Sequence, residues 1–322
     1  MSNKTSVLFG VVTLLILVAC EKDEIPIAKR APGNVITTQV EMGSDYADQL
    51  FYSLSNNRVV SQNKKTDWDL GFEATTDGWH IVLNTARGGA AANTGKTDVA
   101  SVSSVNDAEW RWDAHSGNLD STAIGDYRGK NEVYLIDRGY DELGTHTGYR
   151  KIVLLDVTET YYSIKVAELD GTNETTIRIE KDTTVNFVSF SFNQNKVVSI
   201  QPPKQEWDLL FTQYIHLFED PPVPYLVTGV LINRNLEATA VYDKPFEEIS
   251  FDNVDQYSFS KAINVIGYDW KEYSFNAGSY VIFPEKNYIV KSHEGRYFKL
   301  HFIDFYNENG DKGAPLMEIQ EL

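Results

Sequence analysis

The chain has 322 residues, 46 acids against 29 Lys and Arg, and a formal net charge of −17. A chain this acidic is repelled by nucleic acid and by anionic lipid faces, which both require clustered Lys and Arg. Cys20 is its only cysteine, which excludes a disulfide, a zinc knuckle and a thiol nucleophile in the folded part.

At the N-terminus one lysine precedes an apolar run from Val7 to Val18. The run is short for a bilayer span and has the length of a signal-peptide core. It ends in Leu17-Val18-Ala19-Cys20, which resembles the bacterial lipobox, where the leader is cut before the cysteine and the thiol is lipidated. The resemblance implies a signal peptide over residues 1–19 and a lipid anchor on Cys20. Acyl chains gain roughly 0.8 kcal/mol per buried methylene, so several on one residue hold a protein on a membrane without spanning it. The next residues, "EKDE", resemble the acidic export signal of Bacteroidetes lipoproteins, which implies an outer-membrane lipoprotein exposed at the cell surface. A solvated charged tether is the other reading. "IPIAKRAPGN" has Pro, Gly and no periodicity, so residues 20–34 read as lipidated Cys and linker.

The remaining ~300 residues suggest two domains at ~100–200 residues each, and self-comparison shows why. "YSLSNNRVVSQNKKTDWDLGF" (Tyr52–Phe72) matches "FSFNQNKVVSIQPPKQEWDLLF" (Phe190–Phe211), each closing on acid-Trp-Asp-Leu-x-Phe. Downstream, "HIVLNT" (His80–Thr85) faces "GVLINR" (Gly229–Arg234), and "GYRKIVLLD" (Gly148–Asp156) faces "RYFKLHFID" (Arg296–Asp304). Anchors in one order over more than a hundred residues indicate a tandem duplication, with units over 35–175 and 176–322. "KIVLLDV", "YYSIKVAEL", "TTIRIEKD", "VNFVSFSF", "YLVTGVLIN" and "RYFKLHFIDF" are short β-branched and aromatic runs bounded by turn residues. The expectation is an all-β, mainly antiparallel fold with small helices in the connections.

"ARGGAAANTGKTDV" (Ala86–Val99) contains Gly-Lys-Thr, but the earlier glycine of a P-loop falls on Ala90. Its counterpart in the second unit, "RNLEATAVYD", keeps neither glycine nor lysine, so the segment reads as a connecting loop.

The pattern "DWDLGF…IVLN…GG…TGKTD" with a later "VYLI…G…KIVLLD" hairpin resembles the HmuY family of Bacteroidetes haem-binding lipoproteins, once per unit. The resemblance implies an all-β carrier that takes haem non-covalently and passes it to a TonB-dependent outer-membrane receptor. The resemblance implies axial donors like those of one family member, in which two loop histidines hold the haem iron. One precedes the final hairpin in a segment resembling "DWKEYSFNAGSYVIF", where this chain has Phe275 and Asn276. The other lies in the excursion after the Gly-Lys-Thr turn, where His115 stands beside Trp110 and Trp112. His115 is therefore the axial candidate, an aromatic wall and a donor being what a porphyrin needs. An exposed loop histidine is the alternative.

His80 and His216 read as strand or turn residues, His146 and His293 as hairpin tips, and His301 as pointing away from the core. None has zinc-site spacing. Met42 and Met317 read as packing residues. Asp67 and Asp69 flank Trp68, and Glu206 and Asp208 flank Trp207. On a strand such pairs would stand roughly 7 Å apart, inside the range of inverting glycosidases. Since both units carry the motif, a structural corner is the better reading than two catalytic sites, with the Trp in the core and the acids accepting turn hydrogen bonds. No enzyme is expected. Two functions stay open: a surface lipoprotein that captures haem or a related planar ligand, or an accessory lipoprotein that binds a protein or glycan partner without haem.

Overall fold

The computed structural model describes residues 31–219 and 223–322. The signal peptide, Cys20 and the linker as far as residue 30 lie outside the described residues. The strands are β1 (Ile36–Gln39), β2 (Asp48–Ser53), β3 (Arg58–Lys64), β4 (Leu70–Glu73) and β5 (Ile81–Leu83). Next come β6 (Ala90–Asn93), β7 (Val133–Asp137), β8 (Tyr149–Val157), β9 (Tyr161–Glu168) and β10 (Thr175–Glu180). The second half gives β11 (Phe187–Ser191), β12 (Lys196–Val198), β13 (Leu209–Phe218), β14 (Val223–Ile232) and β15 (Glu237–Val241). It ends with β16 (Lys271–Ser274), β17 (Ser279–Ile282), β18 (Asn287–Lys291), β19 (Tyr297–Tyr306) and β20 (Lys312–Glu321). Among the described residues the helices are six short 3-10 turns, and none is long and apolar enough to cross a membrane. The fold is all-β and antiparallel. The six runs picked out by β-branched and aromatic content all lie on strands. The "ARGGAAANTGKTDV" segment differs from a plain loop, because Ala90–Asn93 pairs with β7 as an edge strand.

Pairing shows how the two halves are joined. One five-stranded sheet runs β10-β9-β8-β7-β6 and the other β1-β20-β19-β18-β15. They correspond strand for strand, with β1 in the place of β10. The four-stranded sheets run β12-β11-β4-β5 and β14-β13-β2-β3, so each combines a hairpin from either side of residue 175. Residues 32–322 form one compact unit. One core gathers Leu70, Phe72, Tyr134, Ile152, Tyr162 and Phe190, and the other Tyr52, Leu209, Phe211, Tyr288, Leu300 and Met317. Burying a large apolar side chain contributes roughly 1.5–3 kcal/mol. Both cores therefore depend on strands contributed by both halves.

The acid-Trp-Asp motif makes the joint. Asp69 N–H donates to Phe190 O at 2.8 Å, and Asp208 N–H to Tyr52 O at 2.8 Å. The Asp69 carboxylate accepts Phe192 N–H at 2.7 Å, and Asp208 accepts Leu54 N–H at 2.8 Å. Behind each corner stands an asparagine. Asn84 Nδ2 donates to Lys65 O and Trp68 O, and Asn233 Nδ2 to Lys204 O and Trp207 O. Lys151 and Lys299 form another matched pair, each giving its ammonium to two carbonyls at a short 3-10 turn: Val99 and Val102, or Phe246 and Ile249.

The corners differ in charge. Asp69 also accepts from Arg87 Nη1 at 2.8 Å and Arg138 Nε at 2.9 Å, with all three side chains buried. Asp208 forms no such pair among the described residues, and burial holds its carboxyl above the usual range. Asp67 instead ends the Lys65–Asp67 turn and caps Lys64 N–H, while Glu206 is exposed. The flanking acids therefore share no strand face. Removing one partner of a buried ion pair costs roughly 3–5 kcal/mol, and orphaning a buried N–H roughly 1–3 kcal/mol. Asp69→Ala should therefore lower the urea midpoint clearly more than Asp208→Ala. An equal or reversed order would refute the charge assignment.

Candidate functional site

β4 has four residues and its counterpart β13 has ten. The added length carries "QYIHLF" beyond the corner, and β14 lengthens to match, with His216 opposite Tyr225 and Phe218 opposite Val223. Side chains two apart on a strand share a face, so Tyr214, His216 and Phe218 line up. His216 lies 4.9 Å from Phe218 and 5.1 Å from Tyr268 between ring centroids, and Phe218 lies 6.1 Å from Tyr225. Phe218 is 43% and Tyr225 60% exposed, which makes this hairpin end an open aromatic shelf.

His115 arrives at the same place from the excursion between β6 and β7. Its loop is pinned by Ala114 N–H to Ser121 O and by Ile263 N–H to Ser116 O, both 2.9 Å. Its ring lies 4.2 Å from that of His216, tilted by 33°. Leu217 N–H donates to His115 Nδ1 at 3.3 Å, which places that ring's proton on Nε2. His216 Nδ1 is buried without a partner among the described residues. The structure thus brings together one residue singled out from the sequence and one set aside as a strand residue. Trp110 does not wall His115: it stacks on Tyr149 at 5.7 Å.

The other histidines are committed elsewhere. His80 pairs with Glu73 at 2.6 Å, His146 with Asp137 at 2.8 Å and His301 with Glu318 at 2.9 Å. His301 does face away from the adjacent core, but Phe246 covers it at 4.3 Å, so it is buried. His293 Nε2 lies 3.3 Å from Trp207 O. Met42 and Met317 are in the core. Among the described residues no group of three or more His, Cys, Asp or Glu is placed to hold a bare metal ion. A macrocycle that brings its own four equatorial nitrogens needs only one or two axial donors, which a histidine pair can supply.

Burial lowers the pKa of His115, opposed by Glu219, and burial followed by the charge of His115 lowers that of His216. Both shifts favour the neutral ring, the form in which imidazole ligates. Trp68 and Trp207 gather with Phe51 and Ile200 where both four-stranded sheets meet, beside a cavity of about 120 Å³. That volume is below the ~300–1,000 Å³ of ligand pockets. A planar ligand would have to approach from the open shelf.

A depressed folded-state pKa leaves stability intact above the unfolded value of about 6.5 and withdraws it as pH falls through the folded value. Urea unfolding at pH 7.5, 6.5 and 5.5 should show a smaller acid loss in His216→Phe than in wild type. Identical slopes would remove the buried-imidazole assignment.

The chain is similar to an apo HmuY analogue from Tannerella forsythia, at 9% identity over 91% of this chain and 98% of that one, with a TM-score of 0.26. It is also similar to a Bacteroides vulgatus protein named as HmuY-like and haem-binding, at 12% identity over 88% and 90% of the chains, with a TM-score of 0.21. Among curated proteins none matches. The HmuY protein family matches residues 45–318 in one run across both halves, and the chain belongs to that family.

Proposed function

We propose that this chain is a non-enzymatic surface lipoprotein, anchored to the outer membrane through Cys20, that binds haem as cargo and yields it to a TonB-dependent receptor. The observation that carries the reading is the meeting of His115 and His216 beside an exposed aromatic shelf. Family membership supports it, and the lipobox-like leader supports the address. The residues fit such cargo. His216 makes no hydrogen bond among the described residues and can offer its Nε2 lone pair, whereas His115, with Nδ1 accepting Leu217 N–H, must release that bond and move its proton before it can ligate. The shelf of Phe218, Tyr225 and Tyr268 suits a flat apolar face. The imidazoles stack on each other at 4.2 Å. A flat ring needs roughly 3.5 Å to each neighbour, so nothing fits between them, and as placed the pair offers a donor from one side. Haem supplies its own equatorial nitrogens and leaves only an axial position to the protein.

A specific observation favours a second reading, a protein or glycan partner without haem. The β16–β17 hairpin presents Phe275 at 90% exposure beside a half-exposed Tyr273. Titrating the unlipidated mature chain with haemin separates the two. Haem binding gives a saturable, shifted Soret band, and His115→Ala or His216→Ala weakens it by at least ~tenfold, since even outer-shell changes cost metal sites 10–100-fold. A featureless, non-saturating titration rejects haem and leaves the hairpin reading.

A further inference from the structure

We infer that a second site, the groove beside Arg234, binds the carboxylate of a small organic acid. The groove holds about 620 Å³, within the ~300–1,000 Å³ of small-molecule sites. Arg234 lines it and uses one nitrogen, Nη1, which donates to Gly117 O. The guanidinium sits over the Phe187 ring at 4.9 Å, and among the described residues no carboxylate comes within ion-pair distance. The other described arginines that are buried or half-buried are paired: Arg87 and Arg138 with Asp69, Arg150 with Glu168, Arg296 with Glu294 and Glu321.

The acids closest to Arg234 in electrostatic terms are already used. Asp113 accepts Leu83 N–H at 2.7 Å and Ala123 N–H at 2.8 Å, and Glu73 is held by His80 at 2.6 Å. Burial lowers the Arg234 pKa to about 10, so the cation persists at neutral pH. Lys204 and Lys261 line the groove, Lys261 paired with Glu237 at 3.8 Å, and Glu73 lines it with its carboxylate held by His80. Symmetry gives an independent argument. "HIVLNT" and "GVLINR" place Thr85 opposite Arg234. The first half therefore folds without a cation at that position, and the second half carries one. A half-buried guanidinium on an aromatic face, with donors left over, suits bidentate carboxylate recognition.

Two sources could present that group. One is a propionate of haem, because Gly117 is two residues from His115 and so within about 7 Å along the chain; this source rests on the haem reading. The other is a free sugar acid. The mature chain and Arg234→Thr are titrated with haemin, haemin dimethyl ester, glucuronate and methyl glucuronate ester. A hydrogen bond to a charged group contributes roughly 1.5–3 kcal/mol, so the ester or the variant should weaken the relevant ligand at least ~tenfold. Loss with haemin, and no further loss when ester and variant are combined, assigns the propionate. Loss with glucuronate alone assigns the free acid. If esterification changes neither ligand, the site is rejected, and this holds even if Arg234→Thr unfolds, because the ester alters only the ligand. Absence of any Soret shift sinks the haem reading alone and leaves the glucuronate arm to decide the groove.

Discussion

Two buried aspartates join this molecule. Asp69 and Asp208 each fix a strand of one half to a hairpin of the other through both a main-chain N–H and a carboxylate oxygen. Buried polar groups are costly unless satisfied. A carboxylate that accepts a specific amide therefore specifies which hairpin docks, where apolar packing alone would tolerate a slip of register. At one corner two guanidiniums complete the charge balance; at the other a carboxyl is left without an ion partner. The same fold is held by two different electrostatic solutions.

That contrast separates scaffold from function. The matched features, the Asp–Asn corners and the Lys151 and Lys299 ammonium clamps, occur in both halves and carry the architecture. Among the unmatched features, the buried arginines at Asp69 belong to the first half, and the long β13–β14 hairpin, His216 with its aromatic neighbours, and Arg234 in place of Thr85 belong to the second. These second-half features gather donors, flat apolar surface and a cation near one loop, His115–Asn118.

Much of the architecture was legible because strands with β-branched and aromatic alternation announce themselves. The corner was legible as a repeat. Its asparagines were also visible, in "HIVLNT" and "GVLINR", but each passed as the end of an apolar strand. Ala90–Asn93 gave no signal, since alanine is a poor strand former and pairing with β7 decides its state. Asp67 and Asp69 looked equivalent in sequence, yet one caps a turn and the other is buried among arginines, a difference set by residues as distant as Phe192. The histidine pair was hidden for a similar reason. No local spacing joins His115 to the end of β13 102 residues away; only the folded sheets bring them together.

The exchange of strands also bears on how the chain reaches its native state. β1 closes the sheet that ends with β20, and Gln39 reaches Ala314 across 275 residues. The core around Phe72 and Tyr162 is complete once the chain reaches β12, but the core around Tyr288 and Met317 waits for β20, so a C-terminal truncation would leave its sheet edge open. Such distant pairing is slow to nucleate. β1 therefore has no sheet partner until β20, the last strand made, is in place.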